Sequence, residues 1–108
     1  MSKPEAILAQ QIAWAKLPEP VTEFAAINGR RYRFDFAWPK HNLLVEVQGG
    51  TFAKAKLGHS TGMGINRDNE KMILAQLAGW KVFQVDTKQV HSGQALKWIQ
   101  EALDERNP

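Results

Sequence analysis

The spacing of hydrophobic residues changes along the chain from a helical pattern to an alternating one. Before Pro18 they recur every three or four positions, as on one face of a helix. After it, polar and apolar residues alternate over residues 31–36, which follow Asn28-Gly29, a dipeptide typical of a tight turn between two strands. The pattern predicts, in chain order, a helix over residues 4–17, strands over 21–27, 30–38 and 43–48, a glycine-rich loop over 49–64, a helix that begins at Asn66 and ends at Gly79, a strand over 80–85 and a last helix that begins at Ser92.

This order of elements, α-β-β-β-α-β-α, predicts an α/β fold with a central mixed sheet flanked by helices. The 108 residues suffice for one domain, which we take to span 1–108. The absence of cysteine excludes a disulfide scaffold, an iron–sulfur cluster and a thiolate zinc site. The longest uncharged run, residues 6–15, is about half of a membrane span. Because no signal peptide is recognisable either, we expect a cytoplasmic protein without membrane contact.

Basic residues are concentrated in the middle of the chain. Between positions 24 and 67 only Asp35 and Glu46 oppose seven basic residues, whereas the last eight residues are net acidic. Such segregation suggests a surface for a polyanion, although an ordinary solvated surface explains charge alone equally well. The seven are Arg30, Arg31, Arg33, Lys40, Lys54, Lys56 and Arg67.

Acidic residues stand inside predicted strands that are otherwise apolar or basic. Glu46 and Gln48 are two residues apart and therefore share one face of the third strand, whereas Val47 points to the other. Asp35 lies on the neighbouring strand, within reach of the same ion, and Glu23 lies one strand further out. Oxygen ligands suit Mg²⁺ or Mn²⁺. The alternative is that these carboxylates only pair with the arginines at positions 30, 31 and 33.

Asp35 followed after a gap by Glu46-Val47-Gln48 resembles the signature of the PD-(D/E)XK nuclease superfamily, with Phe34-Asp35 at the place of the PD dipeptide. The segment is also similar to small phage and bacterial endonuclease-like proteins related to very-short-patch-repair endonucleases and Holliday-junction resolvases. That wider likeness covers about residues 18–103 and rests on the strings RYRFDFAWP, VEVQGG, GH, DNEK and AGWKV. It implies a restriction-endonuclease-like fold.

The resemblance also implies roles at the site. Asp35 and Glu46 would bind the metal together with the backbone carbonyl of Val47, and Glu23 would complete the ligand shell through a water or help to bind a second ion. Gln48 would position the attacking water, but it stands where the superfamily usually has a lysine, so its side chain supplies no charge. The lysines that are candidates to supply that charge from elsewhere are Lys54, Lys56 and Lys71.

His59, within the glycine-rich stretch, would act as a general base or contact a phosphate, as in the short-patch-repair relatives; a solvated loop histidine is the alternative. Lys71 would face the site or pair only within its own helix. The residues expected to contact DNA are Arg30, Arg31, Arg33, Lys54, Lys56, Arg67 and Lys71.

The sequence thus predicts a DNA endonuclease that depends on Mg²⁺ or Mn²⁺, with Glu23, Asp35, Glu46, Gln48 and His59 as its catalytic residues. A domain this small offers few elements for reading bases, so we expect it to recognise branched DNA, and a homodimer to cut two opposed strands. One alternative is a DNA-binding module that keeps the nuclease fold without turnover. Another is a structural subunit of a phage assembly.

Overall fold

The computed structural model describes residues 1–48 and 62–106, the stretch 62–68 through its backbone alone. Its elements alternate between helices and strands in the predicted order, with one extra short helix. They are α1 (Lys3–Trp14), β1 (Val21–Phe24), β2 (Phe34–Trp38), a 3-10 turn (Pro39–His41), β3 (Leu43–Gln48), α2 (Gly62–Leu77), β4 (Lys81–Asp86), α3 (Thr87–His91) and α4 (Gln94–Leu103). None of these helices has the length and hydrophobicity needed to span a membrane.

The four strands form one mixed sheet in the order β1-β2-β3-β4. β1 and β2 are antiparallel, β2 and β3 are antiparallel, and β3 and β4 are parallel. The parallel pair follows from the crossover through α2, because parallel strands need a long connection. The prediction of an α/β fold with a mixed sheet flanked by helices is confirmed.

Apolar side chains cover both faces of β3, which is therefore buried between two helical layers. Val45 and Val47 pack on one face with residues of α1, α3 and α4, among them Leu8 and Ile99. Leu44 packs on the other face against Ala75 of α2 together with Phe34 and Ala37 of β2. Glu46 and Gln48 alternate with the valines, so they share the face that α2 covers.

The first helix is shorter at its C-terminal end than the predicted 4–17. It begins at Ser2, whose side chain accepts a hydrogen bond from the backbone N–H of Glu5 at 3.4 Å. It ends at Trp14, because Lys16 adopts a left-handed conformation with φ 57° and the backbone N–H of Leu17 closes onto Ile12 at 3.3 Å. The spacing of apolar residues in the sequence did not indicate that the helix ends this early.

The predicted hairpin exists, but its strands are shorter than 21–27 and 30–38. The Asn28-Gly29 turn forms, with the backbone N–H of Arg30 donating to the carbonyl of Ile27 at 3.2 Å. Strand pairing, however, ends at Phe24 and Phe34, well before that turn. Glu23 has a left-handed φ of 50°, which distorts the end of β1 and separates the hairpin from its tip.

The C-terminal half departs from the prediction at three boundaries. α2 begins at Gly62, so Asn66 lies inside the helix and is not its N-cap. α3 was not predicted; Asp86 and Gln89 cap it reciprocally, through the bond from the Gln89 N–H to Asp86 at 2.8 Å and the return bond to Gln89 at 3.0 Å. Ser92 ends this helix, and Gly93, with φ 86°, precedes α4. α2 ends at Leu77, and Gly79, predicted as its C-cap, follows with a left-handed φ of 97°.

Candidate functional site

The two acidic residues of β2 and β3 lie where these strands stop pairing through their backbones. The backbone ladder runs from Trp38 opposite Leu43 to Phe36 opposite Val45 and goes no further. Beyond it, the N–H of Asp35 donates to Oε1 of Glu46 at 3.2 Å, and the N–H of Val47 donates to Oδ2 of Asp35 at 2.7 Å. Carboxylates thus replace backbone carbonyls as acceptors, and this fixes both acidic side chains in position.

Two further carboxylates converge on Asp35 from different elements. One carboxylate oxygen each of Glu5, Glu23 and Asp35 lie within 4.8 Å of one another. Glu5 belongs to the first turn of α1, and Glu23 lies in β1 between Thr22 and Phe24, whose partners in β2 flank Asp35. The structure therefore brings the expected pair Glu23 and Asp35 together and adds Glu5, which sequence reasoning missed.

The sequence accounts for Glu5 by a local role at the start of α1, so its position in the site could not be predicted from the sequence. An acidic residue in the first turn of a helix is favoured by the helix dipole. Its Oε1 also accepts a hydrogen bond from the hydroxyl of Ser2 at 3.0 Å. Only the packing of α1 against the sheet shows that the same carboxylate meets Glu23 and Asp35, and no spacing in the sequence carries that information.

Lys71 of α2 forms a salt bridge with Glu46. Its ammonium group contacts Oε2 of Glu46 and also lies 4.5 Å from the centre of the Phe34 ring. The side chains of Lys71 and Glu46 are only 13% and 17% exposed, which makes this a largely desolvated pair. Among the residues whose side chains the structure describes, no other Lys or Arg forms a salt bridge with Glu5, Glu23, Asp35 or Glu46.

The electrostatics of the site favour a bound cation. The pKa of Asp35 is raised from 3.8 to about 7, mainly by burial, with further contributions from the nearby charges of Glu46 and Glu5, whereas the hydrogen bond from Val47 lowers it. Three carboxylates therefore lie close together around Asp35, and the fourth, that of Glu46, pairs with the ammonium group of Lys71. A divalent ion bound to these oxygens would offset both the burial and the mutual repulsion, and an all-oxygen donor set fits Mg²⁺ or Mn²⁺.

The basic residues expected to contact DNA divide into three groups. Arg31 is exposed, Arg33 donates to the backbone carbonyl of Glu23 at 3.2 Å, and Arg30 pairs with Glu70 of α2 at 2.7 Å. Lys71 lies inside the site, against Glu46. Lys54 and Lys56, the candidate base His59 and most of the expected 49–64 loop lie outside the described residues, as does the side chain of Arg67.

Comparison with known proteins gives one structural likeness. No protein-family model matches the sequence, and no curated protein does. The chain is similar in structure to the homing endonuclease I-Bth0305I catalytic domain, with a TM-score of 0.68 over 94% of each chain and 16% sequence identity. At this identity the likeness shows the fold alone, which is a nuclease-like α/β fold.

Proposed function

We propose that this protein is a DNA endonuclease that depends on Mg²⁺ or Mn²⁺. The observation that carries the proposal is the convergence of four carboxylates where β2 and β3 stop pairing. Three of them, those of Glu5, Glu23 and Asp35, lie within 4.8 Å of one another. The likeness of the fold to a homing endonuclease catalytic domain supports the same function.

Asp35, Glu46 and the carbonyl of Val47 would hold the metal, and Glu5 and Glu23 would complete its shell. When bound, the metal would activate a water molecule and offset the negative charge that develops on the scissile phosphate. Gln48 shares a face with Glu46, from which its amide would orient that water. His59 remains a candidate for a proton acceptor or a phosphate contact.

DNA would approach on the side of the basic hairpin tip. Arg31 is exposed there, and Arg30 and Arg33 lie beside it with exposed side chains. Lys54, Lys56 and Arg67 would extend this surface and hold phosphates without reading sequence. We propose branched DNA as the substrate and a homodimer as the active form, because a small domain has few elements that can read bases.

A DNA-binding module without turnover is the second candidate function. The neutral side chain of Gln48 favours it, since a cation next to the attacked phosphate contributes substantially to such catalysis. A structural subunit of a phage assembly remains a third candidate, in which the basic surface would meet protein.

The decisive experiment incubates pure protein with labelled linear, nicked, flapped and four-way DNA in Mg²⁺, Mn²⁺ or EDTA. We expect cutting in the presence of either metal, strongest on branched substrates, and none in EDTA. Asp35→Ala should abolish cutting and Mn²⁺ binding while DNA binding is kept, whereas Glu105→Ala, at an exposed position near the C-terminus, should behave as wild type. Binding without cutting in both metals would favour the second candidate.

A further inference from the structure

Lys71 reaches Glu46 from a helix that follows it at a distance in the sequence. It lies on α2, 25 residues after Glu46, yet its ammonium group contacts that carboxylate. The ammonium group also lies 4.5 Å from the centre of the Phe34 ring. The lysine side chain is only 13% exposed, so it has lost hydration and rotational freedom, and its pairing with Glu46 offsets part of that cost.

We propose that Lys71 is the catalytic lysine of this protein: its ammonium group faces the scissile phosphate and supplies the positive charge that Gln48 lacks. This inference rests on the proposed function and assigns a role within it. Glu46 then has two tasks, because one of its oxygens lies beside Asp35 at the metal end of the site and the other directs Lys71.

The geometry of β3 and α2 explains why one position can substitute for the other. Glu46 and Gln48 point from β3 to the face that α2 covers, and Lys71 reaches the same face from the helix side. A lysine ammonium group that pairs with Glu46 would therefore lie in nearly the same place whether the lysine belongs to β3 or to α2. A flexible lysine at position 48 is long enough to reach the Glu46 carboxylate from two residues along the strand.

The competing explanation is that Lys71 only neutralises a partly buried Glu46. Under that explanation its loss destabilises the fold and leaves a folded variant active. Under the proposal its loss removes a charge that acts on the transition state, so the cleavage rate falls while metal binding is kept.

The test compares wild type with Lys71→Met, Lys71→Arg and the double variant Lys71→Met/Gln48→Lys. Methionine keeps an unbranched apolar side chain of similar length and removes the charge, and arginine keeps the charge if methionine fails to fold. Lys81→Met, at an exposed position where β4 begins, is the matched control. Each protein is measured for single-turnover cleavage, for Mn²⁺ affinity by titration calorimetry and for thermal unfolding.

We expect Lys71→Met to lower the cleavage rate about 10²-fold or more, which is the effect of removing one preorganised charge. Its Mn²⁺ affinity should be equal to or higher than that of wild type, because a neighbouring positive charge has been removed. The double variant Lys71→Met/Gln48→Lys should cleave at least tenfold faster than Lys71→Met. The Lys71→Arg variant should also retain more activity than Lys71→Met.

The proposal is overturned if folded Lys71→Met cleaves within a few-fold of wild type, or if the double variant binds Mn²⁺ and recovers nothing. These outcomes differ from failure of the proposed function. A wild type that is inert with both metals would refute the endonuclease itself, whereas an active wild type beside an active methionine variant would refute only the role of Lys71.

Discussion

Asp35 and Glu46 each hold the strand that carries the other. The carboxylate of Glu46 accepts the backbone N–H of Asp35, and the carboxylate of Asp35 accepts the backbone N–H of Val47, next to Glu46. The two strands therefore remain connected after their backbone ladder ends, and each carboxylate keeps one oxygen for other partners. This arrangement presents acidic groups at fixed positions without burying them completely.

The raised pKa of Asp35 predicts a pH-dependent stability in the absence of metal. The folded carboxyl titrates near 7 and the unfolded one near 3.8, so between these values the folded protein holds a proton that the unfolded chain has lost. Stability in EDTA should therefore fall as the pH rises from about 4 to about 7 and level off above it. Asp35→Asn keeps the shape of the side chain, removes the titration and should flatten this dependence.

Thermal unfolding of wild type and Asp35→Asn in EDTA at pH values from 5 to 8.5 checks this prediction. The quantity to compare is the difference in stability between the two proteins at each pH. We expect the stability of the asparagine variant relative to wild type to increase with pH up to about 7. Curves that stay parallel over the whole range would show that Asp35 titrates in the folded protein as it does in the unfolded chain.

Glu5 should contribute to metal binding independently of its role at the start of α1. Glu5→Gln removes the charge that meets Glu23 and Asp35, and we expect it to lower Mn²⁺ affinity about tenfold. Ser2→Ala is the matched control, because it removes the helix cap and the hydrogen bond to Glu5 but leaves the charge of the carboxylate. It should cost about 1 kcal/mol of stability without changing Mn²⁺ affinity. Equal Mn²⁺ affinities for Glu5→Gln and wild type would place Glu5 outside the metal site.

Parts of this site followed from the sequence because they depend on local geometry. The alternation along β3 placed Glu46 and Gln48 on one face, and the bounds 43–48 are confirmed as Leu43–Gln48. Glu5 did not follow, and for Lys71 the sequence left open whether it faces the site or pairs only within its own helix. Only tertiary packing brings either residue to Asp35 or Glu46.

The predicted ends of strands and helices were wrong where the backbone conformation of a single residue determines the end. The left-handed φ of 50° at Glu23 ends β1 close to the site, although the residue types predicted a longer strand. A residue other than glycine rarely adopts this conformation, and nothing in its neighbours indicates it. The five-residue α3 depends on the reciprocal cap between Asp86 and Gln89, which is too short a pattern to separate from a turn.

The salt dependence of DNA affinity should identify the surface that meets phosphates. Each phosphate contact contributes a slope of about −0.9 in a plot of log affinity against log salt concentration. Replacing Lys54 and Lys56 together by alanine should therefore flatten the slope by roughly two units. The control replaces Lys88 and Lys97, exposed residues of α3 and α4 on the opposite face of the sheet from α2, and should leave the slope unchanged. If the control pair flattens the slope instead, DNA lies across α3 and α4.

Gln48 separates an endonuclease from a binding module that has lost turnover. If its amide orients the attacking water, Gln48→Ala should lower the single-turnover cleavage rate about 10²-fold, as expected for the loss of one preorganised group. DNA affinity should change little, because the side chain lies beside Glu46 within the site and carries no charge toward phosphate. Gln48→Lys should retain or raise activity, since it adds a cation at the same face. The measurement uses these three proteins on one DNA junction in Mg²⁺ and in Mn²⁺. An inert wild type beside an active lysine variant would identify a binding module with the fold of a nuclease.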